Sequence, residues 1–207
     1  MLAIADSLNT AQTEALARLL CLLEAGEGAA ARSFAALARE STVPAAEAAL
    51  AAIAREEAAH GEWVVVMSLW LPKPTGVRPM IHAARDMHLV IGQGTVAQRL
   101  AGVAALDSAA CILFSKLLHP RAPLAVCDGI SNILRRIHRD EAKHVAVASH
   151  YALSSGALAD LQTRAAKVRR HFAEVLELVA SDFDDLGVDP DSLLRAIRVP
   201  PAGLFKR

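Results

Sequence analysis

Aromatic residues make up only 4% of this 207-residue chain, and cysteine occurs three times. So few rings leave the core to aliphatic side chains. Cys21, Cys111 and Cys127 are scattered with no CxxC pair, so neither a zinc knuckle nor a rubredoxin-like iron site is encoded, and buried reduced thiols are expected. Proline and glycine are also sparse, at 9 and 11 residues, while 54% of the chain is apolar, much of it Ala and Leu. That combination favours an all-helical, well-packed protein. Neither charge sign is in excess: 22 acids face 22 bases. With no polybasic stretch, no nucleic-acid groove is expected, and Arg135-Arg136 and Arg169-Arg170 read as solvated helix faces. The strongest apolar run, Trp63 to Leu71, is too short to span a bilayer. Met1-Leu2-Ala3-Ile4-Ala5-Asp6 lacks the basic start and apolar core of a signal peptide. A soluble, cytoplasmic protein without a membrane partner is the expectation.

Helix punctuation divides the chain into one domain. A first helix is expected from about Asn9 to Arg39, with Asn9 and Gln12 as its capping box. Ser41-Thr42-Val43-Pro44 separates it from a second helix, which runs to about Leu71 and stops at Pro72-Lys73-Pro74. A shorter helix or irregular crossover covers about Pro79 to Ile91. A third long helix covers about Gln93 to Leu118, and a fourth about Leu124 to Ser155. A fifth covers about Leu158 to Leu186; Asp189-Pro190-Asp191 then caps a last short turn, and the tail from Val199 is expected to be extended. Short links within each pair and a longer one between pairs fit a bundle of two αα-hairpins joined by a crossover, over about residues 9–155. The fifth helix, within an accessory region of about 157–198, covers one side or makes an interface, so a homodimer is conceivable.

Against this background stand Glu57-Ala58-Ala59-His60 and Glu141-Ala142-Lys143-His144. Each sets a carboxylate and an imidazole one turn apart on one helix face, a pair that can chelate one ion. By composition, about half an ExxH arises by chance in such a chain, so the surroundings must decide. They repeat. Glu27 is followed seven residues later by Phe34, and Asp107 seven residues later by Phe114. Seven residues are nearly two turns, so acid and ring share a stripe. Glu27 precedes Glu57 by 30 residues and Asp107 precedes Glu141 by 34. Arg55-Glu56 precedes one ExxH and Arg139-Asp140 the other.

Converging in a bundle core, Glu27, Glu57, Asp107 and Glu141 would each cost several kcal/mol if unpaired. Two divalent cations would balance them, with His60 and His144 neutral. The N/O donor set suits iron or manganese, and bridging carboxylates would hold two ions about 3.5–4 Å apart. Asp140 and Glu56 are candidates to accept from the outer ring nitrogens of the two histidines. Glu24, one turn before Glu27, competes with it as a ligand or supports it. His138 is a possible extra ligand. Tyr151, the only Tyr, lies seven residues after His144 and reads as a hydrogen-bonded core residue rather than a redox-active one. His171, Glu174 and Glu177 read as a polar face, and Trp63, Trp70, Phe34 and Phe114 as core or cavity lining.

The segment Ala25 to Phe34 resembles the first helix of rubrerythrin-type members of the ferritin-like di-iron carboxylate superfamily. In these a ligand Glu is followed by Arg at the fifth position and an aromatic at the seventh. Arg-Glu-Glu-Ala-Ala-His (55–60) and Arg-Asp-Glu-Ala-Lys-His (139–144) resemble the motifs of the second and fourth helices. The resemblance covers roughly residues 10–155. It implies a ferritin-like four-helix bundle and the ligands Glu27, Glu57, His60, Asp107, Glu141 and His144. Two departures matter. The third-helix ligand is usually Glu and here is Asp107, which reaches less far. No rubredoxin-type iron site is encoded, so electrons would come from an external donor. In arylamine N-oxygenase-like relatives an extra His lies four residues before the Glu; here Ile137 stands there and His138 is three before. The resemblance implies a di-iron oxidase or oxygenase that activates O2 or peroxide on a small organic substrate. An iron-handling or peroxide-detoxifying protein is the alternative, and a metal-free structural bundle the third. A mineral-storing cage would need more acids than the 22 present.

Overall fold

In a computed structural model, which describes residues 7–206, the chain is all-helical. Helix α1 (Thr10–Glu40) and α2 (Pro44–Ser68) form one hairpin. Helix α3 (Arg78–Ile91) leads across to α4 (Val96–Leu117), which pairs with α5 (Asp128–Ser155) in a second hairpin. The hairpins face each other, α1 against α4 and α2 against α5. Helix α6 (Leu158–Glu177) packs on α4 and α3, α7 (Ala180–Asp185) on α1, and α8 (Pro190–Arg198) on α6 and α4. The expected fifth helix therefore covers one side of the bundle.

Local chemistry explains the boundaries. Asn9 Oδ1 accepts from the Gln12 N–H while Gln12 Oε1 accepts from the Asn9 N–H, the anticipated capping box. A second box, Thr95 with Gln98, starts α4 later than expected. Gly94 enters it at φ +94°, a conformation glycine adopts without penalty. The segment that was open between helix and irregular crossover is α3; its last carbonyls, Val90 and Ile91, accept from the Arg164 guanidinium. Three other expectations are corrected. Pro123–Val126 is a separate 3-10 turn before α5. The fifth helix breaks after Glu177, and the bidentate Arg18–Asp182 pair ties the following α7 to α1. The C-terminal segment is extended only at its start, at Val199: it turns at residues 202–205, and Leu204 and Phe205 are buried.

The core is aliphatic, with Phe34 and Phe114 at its centre, and each fully buried Leu contributes about 1.5–3 kcal/mol. Trp70 is not core: it is 41% exposed, whereas Trp63 packs under the Arg136 guanidinium, 4.3 Å from its ring centroid. Arg169 is the reverse surprise, fully buried rather than solvated. It donates to the Ile197 and Ala196 carbonyls and to Ser108 Oγ, so its charge fastens α8 to α4, and burial lowers its pKa to about 10. Helix α4, and not the Trp63–Leu71 run, is long and apolar enough to cross a membrane by length and composition. Of its apolar window 67% is buried, covered by α5, α6 and α1. The residues read for a signal peptide, 1–6, lie outside the described ones.

Candidate dimetal centre

Each helix of the bundle presents its acids to the interior because the surrounding apolar residues do so at the same period. On α2, Leu50, Ile53, Glu57, His60, Val64 and Met67 are buried; on α5, Leu134, Ile137, Glu141, His144 and Ala148. Both ExxH motifs thus replace two apolar positions of an inward stripe with ligand-type groups. Helix α1 adds Glu27 and α4 adds Asp107. None of the six is more than 7% exposed.

Six side chains form two overlapping groups. Glu27, Glu57, His60 and Glu141 bring one donor atom each within 4.8 Å of one another; so do Glu57, Asp107, Glu141 and His144. Glu57 and Glu141 belong to both. His60 Nδ1 lies 3.4 Å from Glu27 Oε2, 3.6 Å from Glu57 Oε2 and 3.7 Å from Glu141 Oε1. His144 Nδ1 lies 3.0 Å from Glu57 Oε1 and 3.9 Å from Glu141 Oε2. Despite this proximity, neither Nδ1 completes a hydrogen bond, and neither do Glu27 Oε2, Glu57 Oε1 or Asp107 Oδ2. Buried polar atoms are nearly always satisfied. Five convergent orphans in one spot fit the donor set of a bound cation.

The outer ring nitrogens are satisfied, and from across the bundle. His60 Nε2 on α2 meets Asp140 Oδ2 on α5 at 3.4 Å, and His144 Nε2 on α5 meets Glu56 Oε2 on α2 at 2.9 Å. A carboxylate only accepts, so each Nε2–H donates and each Nδ1 is turned to the acids. This is the arrangement that orients ligand histidines. Lys143 holds Asp140 Oδ1 at 2.6 Å. The rings stack at 5.8 Å between centroids; Phe34 closes over His144 at 6.0 Å and Trp63 over His60 at 5.3 Å.

Without a cation the cluster must share protons. Burial first, then the Glu57 charge, raises Glu141 to about 7 against the opposing pull of His60 and His144. Burial first, then neighbouring carboxylates, pushes Glu27 and Asp107 well above the carboxylate range. Burial opposes charging of Glu57 and His60 as well, yet here pairing wins: contacts with His144 and His60 hold Glu57 at about 2, and the acids push His60 to about 12. A cation binding here would displace protons from Glu141, Glu27, Asp107 and the histidines to solvent.

Other named residues lie elsewhere. His138 is half-buried against Phe114 with Nε2 3.4 Å from Ser115 Oγ, and belongs to neither group. Glu24 is exposed, at the rim of a groove beside the cluster. Tyr151 is partly buried and packs edge-on against His150. One further residue borders the cluster without belonging to any motif of the sequence. His88 on α3 borders both that groove and a cavity of about 60 Å³ lined by Glu27, Glu57, Asp107, Glu141 and Phe114. Burial and the Arg32 charge lower its pKa to about 4. Its signal was available: Met80, Ala84, Met87 and Ile91 mark the inner face of α3, and His88 sits among them. No protein-family model, no curated protein and no solved structure matches this chain.

Proposed function

We propose that this chain is a ferritin-like dimetal carboxylate protein that holds two iron ions, or manganese, and activates O2 or peroxide to oxidise a small organic substrate. The observation that carries the reading is the sharing of Glu57 and Glu141 by two otherwise separate ligand groups. Glu27 and His60 would hold one ion, and Asp107 and His144 the other. Bound there, the ions would supply the redox chemistry that no side chain of this cluster provides. The chain's own part is fourfold. Glu57 and Glu141 join the two positions. Asp140 and Glu56 hold both imidazoles with Nδ1 inward. Phe34, Phe114 and the aliphatic core keep water from the acids. The small cavity beside them leaves room for a diatomic or peroxide molecule. Electrons would come from an external donor.

Metal analysis after anaerobic ferrous reconstitution tests the site. About two irons per chain are expected; none at all would leave a metal-free bundle. The size of the inner cavity favours a second reading, peroxide removal without an organic substrate. Oxygen uptake that proceeds equally with and without candidate organic substrates would select it.

A further inference from the structure

A groove of about 910 Å³ lies among α1, α2, α3 and α4 on one side of the acid cluster. That is within the size range of pockets for small organic ligands. Its wall toward the cluster is short of side chains: Ala25, Gly28 and Ala29 on α1 meet Ala58 and Gly61 on α2. A Cβ on Gly61 would stand 3.7 Å from the Cβ of Glu27, so this wall backs directly onto a candidate ligand. Glu57 and His88 border both the groove and the inner cavity.

The exposed rim has the opposite character. Arg32 on α1 and Arg85 on α3 line it, and neither has an ion-pair or hydrogen-bond partner among the described residues. Arg99, on the same groove, is neutralised by Glu40 through two hydrogen bonds. Among the described residues that line the groove, Glu24 is the one exposed acid. Two free guanidinium forks at the mouth of a cleft match an oxyanion, which each can grip with two N–H donors. Deeper in, Leu37, Ile81, Ile91 and Val103 offer only apolar contact.

We propose that this groove binds the substrate, and that the substrate is a small organic molecule with an apolar body and a terminal carboxylate or phosphate held by Arg32 and Arg85. The charged end stays at the rim while the apolar end lies toward Glu57. His88 stands between that end and the inner cavity and offers a ring N–H and a lone pair there. The assignment of this ligand as a substrate rests on the dimetal reading; its binding does not.

The test uses octanoate, octyl phosphate and octanol as probes, titrated calorimetrically into the full chain before and after iron reconstitution. The wild-type chain is expected to bind at least one of the two anions about tenfold or more tighter than octanol. The double variant Arg32→Gln, Arg85→Gln should lose that preference, keep its octanol affinity and keep its iron. The tighter anion identifies the headgroup. Equal binding of all three probes, no binding of any, or an anion preference that survives the double substitution would overturn the proposal. Iron content of the same samples separates the two readings: anion binding without iron uptake sinks the metal centre and leaves the groove, and the reverse result does the opposite.

Discussion

His60 and His144 stand 5.8 Å apart, ring to ring, and each is fastened by a carboxylate from the other's helix. The relation is reciprocal: Glu56 and Asp140 occupy equivalent places, one residue before Glu57 and Glu141. Removing either outer acid frees an imidazole to rotate and lowers its basicity. Asp140→Asn and Glu56→Gln should each weaken metal affinity by about 10–100-fold with little loss of helicity. Competition with a chromophoric chelator measures it. Asp140, only 16% exposed, should give the larger effect than Glu56, at 49%.

Candidate ligands that belong to both groups should behave differently from those that belong to one. Glu57→Ala and Glu141→Ala should abolish loading of both ions. Glu27→Ala should spare the Asp107–His144 position and leave about one ion per chain. Metal-to-protein ratios after gel filtration decide this. A Glu57→Ala protein that still carries both ions would show that the ligands are misassigned.

Acidity links the cluster to pH through Glu141. Its folded pKa, about 7, is above the ordinary value of 4.5. In the metal-free protein this group therefore contributes stability that is fully present below pH 4.5 and lost as pH rises through about 7. A bound ion reverses the preference, because it needs the carboxylate. Metal affinity should rise with pH through 7 and beyond, because Glu141 at about 7 and His60 at about 12 must both give up a proton, with about two or more protons released per chain on loading at neutral pH. Calorimetry in buffers of different ionisation enthalpy reads the release.

Arg169 carries a separate prediction about stability. Arg169→Ala would leave a cavity and strip the donors from Ile197, Ala196 and Ser108. A loss of about 3–5 kcal/mol is expected, visible as a lower denaturant midpoint, while the metal site stays loaded. Arg170→Ala, on an exposed neighbour, should change stability by no more than about 0.5 kcal/mol.

The sequence disclosed the long helices and the six clustered residues because both follow from one rule, a period near 3.6 with polar groups at inward positions. It disclosed the Asn9 and Asp189 caps for the same kind of reason, since capping is local chemistry. What it hid depends on distant partners. Leu178 and Val179 look helical, and the chain breaks there in company with the hold of Arg18 on Asp182, 164 residues away. Arg169 looked solvated because arginine usually is; the carbonyls that make its burial tolerable end another helix. His88 belongs to no local motif, and only the packing of α3 across the bundle brings it to the acid cluster.

The crossed histidine pairs also act on how the two hairpins meet. Each hairpin closes on itself through a short loop, Ser41–Val43 in one and residues 118–127 in the other, and neither can complete the cluster alone. Sliding α2 along α5 by one turn, about 5.4 Å, would strand both outer carboxylates and both imidazoles at once. Aliphatic contacts are non-directional and impose no comparable requirement on individual atoms. The crossed polar pairs are directional, so they tie α2 to α5 at one register.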